Sequence, residues 1–333
     1  MNRSARTLLV AALCLMLAGG LVACAPASTT PGTTTTTTTP AATTTIRIGT
    51  LPTEDSLPLW VAERDGLFAK AGLDVTTTVF ASAVERDAAL TAGAIDGEMG
   101  DLIAASLLRE GGVPVKVATV MLGASAKEGR FGIAVKPKST VTKLSQLAGV
   151  PIATSSATIQ EFVLDELMAA GGVSADQVKT VEIKKVPVRF EQLMAGAIDA
   201  AALPEPFLSL AEKTGAKVIA DDTTGANISQ TVMIFSEKYL NAAGSADAVT
   251  KLLSVWDTAV GTINADPNSF RQLLVDQAKL PAPLATSYAV NTYPKAQLPT
   301  TEEVTSVLDW MQGKGLLKTP LTYADLTWTA PAK

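Results

Sequence analysis

The chain has 333 residues, 47% apolar and 18% charged, with a formal net charge of -5 and no histidine. This is the composition of a globular protein with material for two domains or one large one. It excludes every site that needs imidazole, from a Ser-His-Asp triad to a His-bearing zinc centre, and the acidic balance argues against the basic footprint that nucleic-acid binding requires.

Arg3 and Arg6 precede an apolar stretch from Leu8 to Ala18, which is followed by Gly19, Gly20 and Leu21-Val22-Ala23-Cys24. A charged start, a short apolar run and a small-residue end read as an export signal. The run falls short of the roughly 20 residues a membrane-spanning helix needs. The tetrapeptide resembles the lipobox of bacterial lipoproteins, which implies cleavage before Cys24 and attachment of a palmitate-bearing lipid to its sulfur. Residues 1–23 are then a signal peptide, and Cys14 leaves with them, so the folded part holds no thiol. Their loss removes two Arg and no acid, leaving 25 basic against 32 acidic side chains. Twelve of the seventeen residues from Thr29 to Thr45 are Thr. Such a run cannot build a core, and residues 24–45 read as a lipidated tether able to reach about 70 Å when extended.

From Ile46 short apolar runs alternate with longer helical patterns, as in an α/β protein with largely parallel strands. The pattern predicts a strand over 46–50, a helix over 58–71 ending at Gly72, a strand over 73–80 and a helix over 86–92. A strand over 95–100, a helix over 102–110 and a strand over 115–121 follow. A second round then begins near residue 150. Leu90-Thr-Ala-Gly-Ala-Ile-Asp96 recurs as Leu193-Met-Ala-Gly-Ala-Ile-Asp199, an offset of 103 that also sets Arg86 on Arg189. Two apolar strands, 131–135 and 230–235, flank this second copy and are placed to cross between lobes. The predicted division is 46–130 plus 236–333 for lobe 1 and 131–235, with the hinge strands, for lobe 2. Two such lobes face each other across a ligand cleft at the carboxyl ends of their strands.

Ile48-Gly-Thr-Leu-Pro52, Leu59-Trp-Val-Ala-Glu63, Gly66-Leu-Phe-Ala-Lys-Ala-Gly-Leu-Asp-Val75 and the paired Ala-Gly-Ala-Ile-Asp segments resemble periplasmic binding proteins of ABC importers. The nearest group is the nitrate, sulfonate, taurine and thiamine-precursor (pyrimidine) binders, and the likeness covers about residues 46–320. It implies a two-lobed type II periplasmic-binding-protein fold with two crossover strands. It also implies a binding function, not catalysis. The implied partners are an ABC permease and a small-molecule ligand: a sulfonate, a nitrate-like anion or an aminopyrimidine-like compound. The fungal pyrimidine synthases on this fold consume an active-site His, and that chemistry is not available here. The expected protein is a monomer, lipid-anchored at the outer face of a cell membrane or in the periplasm, with no cofactor and no metal. An extracytoplasmic enzyme using Asp101 or Glu205 as acid or base, or a ligand sensor, are the alternatives on the same fold.

Thr154, Ser155, Ser156 and Thr158 follow a strand and open the helix 159–170. Hydroxyls and free N–H groups at such a helix start suit a carboxylate, sulfonate or phosphate. Asp101 and Glu205 occupy equivalent strand-to-helix positions in the two halves and suit a cation or N–H donor. Leu51, Pro52, Thr53, Glu54, Asp55 and Ser56 form the first strand-to-helix loop, in which some residues line the mouth of the cleft and others only cap the helix. Arg130 and Gln230 stand at the starts of the two crossovers, where both lobes are within reach. Trp60, Phe68 and Phe207 read as core. Tyr288 and Tyr293, in a Pro-rich loop, are candidates to stack on a planar ligand.

Overall fold

A computed structural model describes residues 44–330. The signal peptide, Cys24 and nearly all of the tether lie outside the described residues. The first described residues are Thr44 and Thr45, and they are already strand: Thr45 Oγ1 donates to Asp74 at 3.1 Å and its carbonyl accepts from Tyr239 Oη at 3.0 Å. The strand thus includes the two residues before Ile46, which pair with Leu73 and Asp74 of the neighbouring strand.

Among the described residues ten strands form two five-stranded sheets. In the first half run β1 (Thr44–Thr50), β2 (Leu73–Val79), β3 (Gly97–Asp101), β4 (Val115–Leu122) and β5 (Phe131–Val135). The second half supplies β6 (Pro151–Thr154), β7 (Lys179–Glu182), β8 (Ala200–Pro204), β9 (Lys217–Asp221) and β10 (Thr231–Ser236). One sheet has the order β2-β1-β3-β10-β4 and the other β7-β6-β8-β5-β9. In each, three parallel strands are followed by an antiparallel strand that arrives from the other sheet. The sheets therefore repeat one plan, element for element, and the chain passes between them twice, over 123–130 and over 222–230. The strand expected to belong to the second lobe, 230–235, pairs along its length with β3 and β4 of the first sheet. The crossing proper lies just before it, in the segment that carries Asp222, Ser229 and Gln230. The reason is burial: Val232 to Phe235 are fully buried, and only a strand inside the sheet can bury both of its faces.

Helices α1 (Leu57–Arg64), α2 (Leu67–Lys70), α3 (Ala83–Thr91) and α4 (Leu102–Glu110) cover the first sheet, and α5 (Ile159–Ala170), α6 (Val186–Met194) and α7 (Phe207–Lys213) serve the second. The helix predicted over 58–71 is two helices. Gly66, at φ +66°, takes the left-handed conformation that stops a helix, and Asp65 caps α1 just before it. In both copies of the repeat the helix stops at such a glycine, Gly93 at φ +72° and Gly196 at φ +74°. After β10 the chain is helical, with α8 (Glu237–Leu240), the long α9 (Ser245–Ala265), α10 (Arg271–Gln277) and α11 (Thr301–Gly313). The core under α1 and α9 holds Trp60, Phe68, Trp256 and Phe235, and Phe207 packs at its margin while also closing the small cluster under α6 and α7. Burying each large apolar side chain is worth about 1.5–3 kcal/mol. Among the described residues no helix is long and apolar enough to cross a membrane.

Candidate functional site

The carboxyl ends of β1, β3 and β8 open into a cleft of about 90 Å³. From the first half, the loop after β1 contributes Leu51, Thr53, Glu54 and Asp55, α3 contributes Arg86, and the end of β3 gives Met99, Gly100 and Asp101. The first crossing segment adds Gly129 and Arg130. From the second half come Ile159 and Gln160 at the start of α5, Val186 on α6, and Pro204 and Glu205 after β8. Thr231 comes from β10.

Each carboxylate is held by a different element. Glu54 is 3% exposed; its Oε2 accepts from Tyr288 Oη and its Oε1 from Asn291 Nδ2, both at 2.8 Å, while Tyr293 Oη donates to the Glu54 carbonyl at 2.8 Å. Burial pushes the Glu54 carboxyl well above its usual range, and the charges of Glu205 and Asp55 push the same way against those hydrogen bonds. Asp55 Oδ1 accepts from Thr231 Oγ1 at 2.7 Å. Asp101 caps α4, its Oδ1 accepting from Ala104 N at 2.7 Å; burial raises it, and the Ala104 N–H opposes. Glu205 accepts from Ser209 Oγ at 2.8 Å and Ser209 N at 3.2 Å, and burial raises it as well.

The cations are already matched. Arg130 donates to Asp221 at 2.8 Å, to Glu212 at 2.7 Å and, more distantly, to Glu205 at 3.4 Å. Burial opposes its charge, but the bonds to Glu212 and Asp221 prevail and raise its pKa. Arg86 is 2% exposed, with Asp87 at 2.7 Å and Glu98 at 3.4 Å. Burial lifts Glu98 to about 8 despite the Arg86 charge. Gly49 lets Arg86 run across β1, because a Cβ there would come within 3.2 Å of the Arg86 Cγ and 2.5 Å of Ile95 Cδ1. The wall is thus carboxylate-rich, its two guanidinium groups balanced from behind by Asp87, Glu98, Glu212 and Asp221. Among the described residues no group of three or more acids converges to hold a metal ion.

Of the residues singled out from sequence, Leu51, Thr53, Asp101, Arg130 and Glu205 line the cleft, whereas Pro52, Thr154, Ser155, Ser156, Thr158 and Gln230 do not. The start of α5 is occupied by its own chain. Ser156 N and Oγ both donate to Glu182 Oε2, at 2.8 and 2.7 Å, Ala157 N donates to Glu161 at 2.6 Å, and Thr158 Oγ1 caps Gln160 N at 3.3 Å. Thr154 is fully buried at the end of β6 and Ser155 nearly so. Gln230 turns away, donating to the Asn227 carbonyl at 3.0 Å and to Glu303 on α11 at 3.2 Å. Tyr288 and Tyr293 do not line the cleft; their hydroxyls donate to the carboxylate and the carbonyl of Glu54. Glu54 and Asp55, members of the first strand-to-helix loop, also line the cleft, and so do Arg86 and Gln160, which no motif points to. The duplicated Arg86 and Arg189 were the available signal, since a repeat that keeps a charged residue on an otherwise apolar face marks a position with work to do.

Two sheets that exchange a strand and enclose a cleft at their carboxyl ends are the architecture of periplasmic binding proteins. The alkanesulfonate-binding protein SsuA of Xanthomonas axonopodis pv. citri, solved with MOPS, superposes with a TM-score of 0.72 at 20% identity, over 86% of this chain and 99% of that one. A model of the NMT1/THI5-like family matches residues 53–269, and the chain belongs to that family. In sequence it is 27% identical over 248 residues to an ABC transporter periplasmic binding protein of Brachyspira hyodysenteriae, covering 70% of this chain and 69% of that protein. It is 30% identical over 190 residues to the bicarbonate-binding protein CmpA of Synechococcus elongatus, covering 50% of this chain and 42% of CmpA.

Proposed function

We propose that the protein is an extracytoplasmic solute-binding protein, held to the membrane by a lipid on Cys24 and the Thr-rich tether, which closes on a small organic solute and delivers it to an ABC permease. The observation that carries this reading is a cleft walled from both halves of the repeat, with the chain crossing between the sheets twice at 123–130 and 222–230. Two adjacent crossings act as a hinge, and a solute touching both walls favours the closed form. The named relatives include binders of alkanesulfonate and bicarbonate, which supports a small solute. The wall chemistry supports one with N–H donors or positive charge, such as an aminopyrimidine-like compound, over a simple anion. Glu54, Asp55, Asp101 and Glu205 present acceptor oxygens that such a solute can use, and both cleft arginines already have carboxylate partners.

Mass spectrometry of the solute released from the purified chain tests the reading, followed by small-angle scattering with that solute added back. A smaller radius of gyration in its presence is the expected result. An unchanged radius with the solute demonstrably bound would remove the hinge from the mechanism, and turnover of the solute would convert the binder into an enzyme.

A further inference from the structure

The 103-residue repeat keeps an arginine and drops its partners. Arg86 has Asp87 and Glu98 beside it, but the positions that correspond to these around Arg189 are Phe190 and Ala201. Arg189 is nevertheless fully buried. Among the described residues its Nε and Nη1 have no hydrogen-bond partner, and its Nη2 donates to Gln160 Oε1. A buried charge ordinarily has a counter-charge, since nothing else offsets its desolvation. Here burial draws the guanidinium down to about 10, with Glu182 pulling the other way. Glu182 is itself engaged, its Oε2 accepting from Ser156 N and Oγ.

Gln160 stands between this cation and the cleft. It lines the wall together with Ile159 and with Val186, which lies one turn before Arg189 on α6. A guanidinium only donates, so the amide oxygen of Gln160 has to be the atom that faces it. An acceptor oxygen already sits where an incoming oxyanion would bind. A carboxylate or sulfonate that displaced it would bond Nη2 and also one free neighbour, Nε on one edge of the fork or Nη1 on the other. Two bonds and a counter-charge would replace one bond to a neutral amide.

We propose that Arg189, gated by Gln160, anchors an oxyanion group of the solute on the second lobe. The solute is then dipolar, with its oxyanion at Arg189 and its N–H or cationic end at the carboxylates of the cleft. The inference rests on the cleft being the solute site argued above.

Its test needs no native solute. The full chain, purified in detergent, is unfolded thermally with methanesulfonate or acetate against chloride at equal ionic strength. At least one of the two anions raises the wild-type midpoint saturably above chloride, as a ligand specific to the folded state does. Gln160→Ala, which removes the occluding oxygen, tightens the apparent affinity for that anion several-fold, and Arg189→Met abolishes the shift. A shift that persists in Arg189→Met overturns the proposal, as does the lack of any shift in both wild type and Gln160→Ala. Should Arg189→Met not fold, Gln160→Ala decides alone: an affinity no better than wild type overturns it. These outcomes are separate from a failure of solute capture, which would appear as no releasable solute and no change in radius.

Discussion

Asp101 has two duties that different replacements separate. Its Oδ1 accepts from Ala104 N at 2.7 Å as the cap of α4, and the same side chain lines the cleft. Asp101→Ala removes both, so folding stability falls by about 1 kcal/mol, the typical worth of an N-cap. Asp101→Asn keeps the cap, because Asn ranks with Asp at that position, and it relieves a carboxylate that burial already disfavours. Its stability should match or exceed that of the wild type. If the carboxylate accepts from a charged or N–H-bearing solute, both variants lose about 1.5–3 kcal/mol of binding, the range for a hydrogen bond to a charged group. That corresponds to about a ten- to hundredfold weaker Kd. Urea unfolding reads the first quantity, and calorimetric titration with the solute recovered from the protein reads the second. Wild-type affinity in Asp101→Asn would refute the reasoning and leave Asp101 as a cap alone.

Burial holds Glu54, Glu98, Asp101 and Glu205 above the ordinary carboxyl range. The folded state therefore keeps protons that the unfolded chain has lost, and stability present below the unfolded carboxyl pKa is lost as pH rises through the raised values, to about 8 for Glu98. The urea midpoint of the ligand-free protein should fall between about pH 5 and about pH 8. Asp65, Asp221 and Asp325, which are held low, act only in more acid solution, and a midpoint rising across the window would contradict the scheme. Tyr288→Phe removes a 2.8 Å donor to buried Glu54 and should destabilise by about 1–3 kcal/mol, the cost of leaving a buried acceptor unpaired, with an unaltered denaturation curve counting against its holding role. Cys24→Ser should abolish lipid labelling and release the protein from membranes while leaving its thermal midpoint unchanged; continued membrane attachment of that variant would rule out the lipid anchor.

The two-sheet plan was readable because the repeat writes it twice: a helix, a glycine forced into the left-handed region, a short strand and a polar loop recur 103 residues apart. What composition and periodicity could not show is which face of a strand-to-helix loop meets the cleft. Ser156 and Thr158 look like an anion site in sequence, yet Glu182 and Glu161, distant or local carboxylates with no motif of their own, fill that helix start. Gln230 and Tyr288 depend in the same way on partners far along the chain, Glu303 and Glu54, that only folding brings near. Glu54 and Asp55 sat inside the loop already singled out, but neighbours in a loop differ in exposure by backbone direction, which residue type does not encode.

The exchanged strand sets an order of assembly. Strands β5 to β9 complete the second sheet by residue 221, whereas the first sheet lacks its fourth strand until residues 231–236 arrive. Until then β3 and β4 have a gap between them, since β10 is the strand that joins them. A chain emerging from its amino end therefore finishes its later sheet first and its earlier sheet last. The half that carries the tether stays open-edged, and exposed to pairing with other chains, for as long as it takes the second half to appear.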